Sequence, residues 1–497
     1  MGLMDIMHSI AGYLPEIRPP EGTLGTKERL IWTALALVLY FMMLETTAFG
    51  VNPLTGATDF LQTITASKVG SLLTTGIGPI VLASIFLQLF VGAGILDMDL
   101  KDKTQRAKFL EIQKILAIIL AVVEAIIYVV FSGMVPVAAV PGMSASLVMA
   151  VVVVQIMLGS VFVLYLDELV TKYGIGSGIS LFIAAGVSLT IFSGLFGLLF
   201  GSGGFVPTIT DGGAGALPDG LLALLPFGFT ILVFLAVAYA ESVKVEIPIA
   251  FERVRGMAPK LPLKFFYVSN IPVIFAIALI TNMQLFSGSL LIGQYWNAST
   301  NAAEPAFSQL TDTRVYDLNR DGVLPLIGHV SSQRYLDDGI LYLLTPIRMG
   351  AGTMQHWSFI ATGETPYLRI PEWVHAIIYI IFLSAVSVMF GLFWVETSNM
   401  DAKSVAKQLS DSGIQIPGFR RDPRMLEMIL NKHIFPLTVL GSACVGLLAG
   451  LADLTGALGT GTGILLTVGI LHKMYEQLEQ MNTFEMYPSF NKMIGEG

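Results

Sequence analysis

Residues 58–91 read TDFLQTITASKVGSLLTTGIGPIVLASIFLQLFV, and they depart from an ordinary membrane span because the apolar run breaks near its middle. Asp59 with Gln62 three residues on is a helix-start signature, and Phe60, Leu61 and Ile64 share one side of the short turn that follows. That piece is too short to cross a bilayer. After the small polar run 67–75, Gly76-Ile77-Gly78-Pro79 turns and restarts a helix with proline in its first turn, which residues 80–91 continue. Those residues rise about 18 Å, against roughly 30 Å of hydrocarbon. Lipid cannot satisfy irregular backbone, so such backbone is tolerated at membrane depth only where protein buries it or water reaches it. The stretch is expected to face a pore.

Composition sets the class. The chain has 497 residues, 54% of them hydrophobic and 13% charged, and a mean hydropathy of +0.72, as expected of a polytopic integral membrane protein. The net charge of -8 says little about nucleic acid, since charge distribution matters more than the sum. Cys444 is the single cysteine, which excludes intrachain disulfides, and its apolar surroundings suggest packing. The 6 histidines are scattered without ligand spacing, so neither a metal site nor any cofactor is expected. The N-terminus carries Asp5 and no basic segment, unlike a cleavable signal peptide.

Met4, Met7, Ile10, Ala11 and Leu14 recur at helical spacing and predict a short interfacial helix. Ten apolar spans follow, at about 30–50, 77–96, 109–134, 143–168, 178–201, 219–242, 266–292, 374–396, 433–453 and 460–481. With both termini inside, only Lys68 and the arginines at 314, 320, 334, 348 and 369 lie outside, which leaves 22 of the 28 lysines and arginines on the cytoplasmic side. Both termini are therefore expected to be cytoplasmic.

The halves are read as an N-terminal segment 1–28 with spans one to five in 29–201, an outer loop 202–218, spans six to ten in 219–481, and a cytoplasmic tail 482–497. Five spans in each half fit an inverted repeat, with a site at the interface of the halves. The outer loop 293–373 contains DLNRDG, residues 317–322, which lacks the third acidic position and closing glutamate of an EF-hand and reads as an Asp/Gly turn. Asn297-Ala298-Ser299 is a glycosylation sequon. Two cytoplasmic loops, 241–264 and 396–432, are long, basic and punctuated by proline, as in IPIAFERVRGMAPKLPLK and IPGFRRDPR. Their charge both sets topology and suits a large anionic partner such as ribosomal RNA.

Glu124 lies inside the third span, where an unpaired charge costs about 2.5–3.5 kcal/mol on insertion scales. Asn282 in the seventh span is the candidate hydrogen-bonding partner, and a protonated glutamate packed on another polar atom is the bland alternative. KYGIGSGISLFIAAG, residues 172–186, opens the fifth span with three closely spaced glycines; no strand precedes it, so it is no dinucleotide fingerprint. An intramembrane serine protease using Ser177 with His375 or His472 would need a base within hydrogen-bond reach, and the order of residues around Ser177 is not the usual one.

TTGIGPIVLASIFLQL, DELVTKYGIGSGISLFIAAGVS, SNIPVIFAIALITN, IPGFRRDPR and LADLTGALGTGTGILL together, and in this order along nearly the whole chain, resemble the SecY family in its archaeal form. The resemblance implies an all-α polytopic membrane protein, ten transmembrane helices in two pseudo-symmetric halves forming an hourglass pore, and no enzymatic activity. It places a plug on Asp59, Phe60, Leu61, Gln62, Thr63, Ile64, Thr65 and Ala66. An aliphatic pore ring falls on Ile77, Val81, Ile179, Ile183, Ile274 and Leu466, and a lateral gate between the halves on Glu124 and Asn282. Leu82 stands where the family often has a threonine in that polar cluster. Ribosome-binding loops would include Arg253, Arg255, Arg420 and Arg421. The implied partners are small membrane subunits of SecE and Sec-beta type, the ribosome, signal sequences and nascent polypeptides, and the lipid of the cell membrane. The rival reading is a secondary transporter, which also uses inverted repeats and broken helices but lines its midplane with polar groups, where this ring is aliphatic.

Overall fold

The computed structural model describes residues 14–22, 24–52, 66–92, 94–96, 98, 102–131, 135, 137–138, 140–201, 204–210, 216–248, 250–251, 260–268, 271–291, 294–297, 302–305, 328–330, 336–347, 353–366, 368–411, 414–415 and 423–486. Among these, the long helices are α1 (Thr26–Glu45), α2 (Gly78–Gly92), α3 (Lys103–Ile126), α4 (Ala145–Tyr173), α5 (Gly178–Phe200), α6 (Leu225–Ser242), α7 (Ile271–Leu291), α8 (Glu372–Thr397), α9 (Pro423–Asp453) and α10 (Gly461–Met486). Each expected span has its helix. Among the described residues, six helices are long and apolar enough to cross a membrane, and the apolar stretches Gly78–Gly92 and Ile271–Gln284 are shorter.

Departures from the expected spans follow local chemistry. The sixth span breaks between Ala216–Ala223 and α6, because Pro226 removes an N–H and sits where a helix begins. The third begins earlier than 109, since Asp102 accepts the Thr104 N–H and starts α3 there; it then widens into a π-turn at Ile127–Phe131. The loops also hold short antiparallel pairs that apolar periodicity does not reveal. β1 (Lys244–Pro248) pairs with β3 (Lys260–Lys264) inside the first basic loop, and β2 (Ala250–Phe251) pairs with β8 (Ile414–Gln415) of the second. The two basic loops are thus one hydrogen-bonded unit. Between β3 and β8 in the chain lie β4 (Gln294–Asn297) with β5 (Ala302–Pro305), and β6 (His329–Val330) with β7 (Leu336–Asp338).

The break before α2 forms as the sequence predicts: Gly78 opens the helix and Pro79 lies in its first turn. Residues 78–83 of α2 are all buried, followed by Ile85, Leu87 and Gln88. A helix covered on so many sides is central, whereas Leu232, Leu235 and Tyr239 of α6 point outward as lipid-facing side chains do. The irregular backbone of 66–77 finds protein partners. Leu72 N–H donates to the Thr46 carbonyl, Ala48 N–H to the Gly70 carbonyl, and the hydroxyls of Thr75 and Ser160 share a short hydrogen bond. Gly159 of α4 makes this possible, because a methyl group there would stand 1.9 Å from the Leu72 carbonyl oxygen.

Candidate functional site

One buried apolar cluster joins the two halves, and it takes in all six ring candidates. Ile77, Val81, Ile183 and Leu466 are buried members, and Ile179 and Ile274 pack against it partly exposed. These side chains come from the turn before α2 and from α2, α5, α7 and α10. Branched aliphatic side chains have few rotamers and offer no hydrogen bond, so they can close a gap without binding what passes.

Of the plug candidates, Asp59, Phe60, Leu61, Gln62, Thr63, Ile64 and Thr65 lie outside the described residues. Ala66 is described and buried, with φ +49, and its carbonyl accepts the Tyr40 hydroxyl at 2.9 Å. It packs against Gly186 of α5, three residues beyond Ile183. The predicted interfacial helix at 4–14 lies outside the described residues apart from Leu14, as do the turn 317–322, Arg253, Arg255, Arg420 and Arg421. Asn297 ends β4.

Glu124 is 2% exposed, and its Oε1 has no hydrogen-bond partner; its Oε2 lies 3.0 Å from where a methyl group on Gly78 would be. Asn282 is also buried, but its Nδ2 donates to Ala278 of its own helix at 2.9 Å. The direct Glu124–Asn282 hydrogen bond expected from sequence is not among the bonds of the described residues. What the structure does bring together is α7 packed on both α2 and the π-turn that follows Glu124. Thr281, beside Asn282, has a buried hydroxyl without a partner, and Leu82 is buried in the apolar cluster.

The nucleophile reading of Ser177 loses its base. The Ser177 hydroxyl bonds Asp167, while His375 is enclosed by Glu372 (Nδ1–Oε2, 2.8 Å) and the Thr345 carbonyl (2.7 Å), and His472 faces Glu476 at 3.3 Å. On the outer side, the helix Thr353–Thr362 docks on the end of α9. The His356 ring bonds the Asp453 carbonyl and Trp357 Nε1 donates to the Leu454 carbonyl at 3.1 Å. Burial holds the His356 imidazole below its usual range. On the cytoplasmic side, Lys264 of β3 pairs with Glu476 of α10 at 2.5 Å, and the Tyr267 hydroxyl donates to the Met400 carbonyl at 2.8 Å, binding the base of one basic loop to the other.

Two polar residues that pattern reading passed over are Asp167 and Asp453, each of which accepts backbone N–H groups from the start of the next helix. Their signal in the sequence was an aspartate near a helix end, followed by two glycines one residue apart at the next helix start.

The SecY family profile matches residues 71–475. The protein translocase subunit SecY of Methanocaldococcus jannaschii is 41% identical over 483 residues, covering 97% of this chain and 97% of its own. A solved SecY channel, whose plug domain stabilises the closed state and maintains a membrane seal, superposes with a TM-score of 0.74 at 39% identity, covering 98% of this chain and 99% of that one. Sec61 in the canine ribosome–channel complex superposes with a TM-score of 0.73 at 40% identity, with coverage of 98% and 99%. A solute transporter is thereby set aside in favour of a protein-conducting pore. With the profile spanning most of the chain and relatives matching it nearly end to end, this chain belongs to the SecY family and is the pore-forming subunit of a protein translocase.

Proposed function

We propose that Ile77, Val81, Ile179, Ile183, Ile274 and Leu466 form the constriction through which unfolded chains pass, and that residues 59–66 plug it when idle. The observation that carries this reading is the gathering of all six aliphatic side chains, from both halves, in one cluster beside the re-entrant turn. A constriction without hydrogen-bonding groups excludes water and ions when closed, yet retains no particular side chain when open. The sealing role of the plug domain in the related SecY channel supports the second part.

Glu124 and Asn282 belong to the lateral gate, through which apolar segments leave for lipid. The paired basic loops dock the ribosome through Arg253, Arg255, Arg420 and Arg421, a reading supported by the ribosome-bound Sec61 complex. Small subunits of SecE and Sec-beta type complete the assembly in the cell membrane, with both termini cytoplasmic. The chain itself performs no catalysis, and the driving force comes from its partners.

The test is electrical. Replacing Ile77, Ile183 and Ile274 together by asparagine should wet the constriction and raise resting conductance in a planar bilayer by about tenfold or more. A folded triple variant as tight as the parent would refute the assignment.

A further inference from the structure

We infer that Asp167 and Asp453 are positioning residues, one in each half, that fix the helices carrying the constriction; the inference rests on the proposed ring. Asp167 lies two turns before the end of α4. Its Oδ1 accepts the Ile179 N–H at 2.8 Å, and Gly178 N–H and the Ser177 hydroxyl also bond it. Asp453 is the last residue of α9. Its Oδ1 accepts the Thr462 N–H at 2.9 Å, and Oδ2 accepts the Tyr379 hydroxyl at 2.8 Å and the Thr462 hydroxyl by a shorter bond.

The two helix starts share a short sequence pattern, although Ser177 is extended where Thr460 has φ +63. Ile175-Gly176-Ser177-Gly178 corresponds to Leu458-Gly459-Thr460-Gly461, and the middle positions Gly176 and Gly459 have φ +77 and +75. Gly178 and Gly461 are the first residues of α5 and α10. Neither tolerates a side chain: a methyl group on Gly178 would stand 2.5 Å from the Asp167 Cα, and one on Gly461 would stand 2.0 Å from the carbonyl carbon of Ala452. In both halves the aspartate takes the N–H of helix residue two, Ile179 or Thr462. Four residues further, on the same helix face, come Ile183 and Leu466, both wholly buried ring candidates.

A carboxylate at a helix start meets the unpaired N–H groups and the positive end of the helix dipole, so the bond fixes both the position and the rotation of the helix. Rotation decides where a side chain one turn later points. The clamped helices also meet: Val187 and Ile191 of α5 lie on Gly463 and Gly459 beside α10.

The reconstituted channel without substrate reads the seal as resting conductance. D167A and D453A should each leak about tenfold more than the parent, whereas D167N and D453N, which keep an acceptor oxygen but lose the charge, should each leak about threefold more. D102A is the stability control. It removes a helix-start acceptor (Thr104 N–H to Asp102, 3.1 Å) from α3, which bears no ring residue, and should lower the melting temperature without a leak. Parental conductance in both alanine variants overturns the inference, as does a D102A leak as large as theirs. If the alanine variants fail to assemble, the asparagine variants decide, and parental conductance in both overturns it. I183N separates the two readings: a leaking I183N beside tight alanine variants refutes the clamp alone, and a tight, folded I183N refutes the ring and with it the clamp.

Discussion

Tyr40→Phe removes one oxygen and leaves the rest of the side chain in place. Tyr40 is wholly buried in α1, stacked on Phe182 of α5 with centroids 4.9 Å apart, and its hydroxyl donates to the Ala66 carbonyl at 2.9 Å. Ala66 has φ +49, a conformation that costs a residue with a Cβ about 1–2 kcal/mol and so needs a partner to hold it. A hydrogen bond of this kind contributes about 0.5–1.5 kcal/mol net, and tenfold in an equilibrium corresponds to about 1.4 kcal/mol. If Ala66 ends the plug, the closed-to-open ratio should fall about two- to tenfold, because the bond is made only with the plug seated. The assay is the resting open probability of single Y40F channels, with the melting temperature as control. An open probability equal to the parent's would refute the link between Tyr40, Ala66 and closure.

Glu124→Leu removes a buried carboxylate whose burden at the membrane centre is about 2.5–3.5 kcal/mol, and it should shift how apolar a segment must be to exit into lipid; an unaltered insertion threshold in a graded-hydrophobicity series counts against the gate assignment. Replacing Arg253, Arg255, Arg420 and Arg421 by glutamate should weaken ribosome binding steeply at low salt, and flatten its salt dependence by about one logarithmic unit per arginine if each meets a phosphate. Unchanged affinity in cosedimentation would remove the loops from the docking surface.

What the sequence made legible was whatever depends on hydropathy and on strong local punctuation. The long apolar runs marked the helices, and Gly78-Pro79 located the restart of α2, because proline fixes φ wherever it occurs. What escaped was set by partners distant in the chain. β2 and β8 are two residues each and gain their pairing from one another across more than 160 positions, so neither has a local signature. Glu124 was visible as a charge in an apolar run, but not its neighbour: Gly78 presents backbone where a polar side chain was expected, and Asn282 satisfies its own amide within its helix. The pattern centred on Asp167 and Asp453 is short, and its aspartates lie 11 and 8 positions before their glycines, so only the hydrogen bonds to Ile179 and Thr462 bring out the correspondence.

The distribution of polar bonds accords with the proposed opening between the halves. Tyr40–Ala66, Thr75–Ser160, Phe49–Gln155 and Asp167–Ile179 all lie within α1–α5 and its loops. Lys264–Glu476, Tyr379–Asp453, Leu458–Thr230 and Trp357–Leu454 all lie within the second half. Across the boundary, among the described residues, Val187 and Ile191 lie on Gly463 and Gly459 and Phe393 against Gly92, while the Gln477 side-chain oxygen stands near Gly176. Breaking a buried hydrogen bond leaves a donor or acceptor that costs about 1–3 kcal/mol, whereas parted apolar surfaces in a membrane are wetted by lipid tails or by the apolar segment that separates them. If the halves part at the proposed gate, bonds inside each half keep its helices in register. An apolar segment leaving by the proposed gate then replaces the Val187, Ile191 and Phe393 contacts with apolar surface of its own.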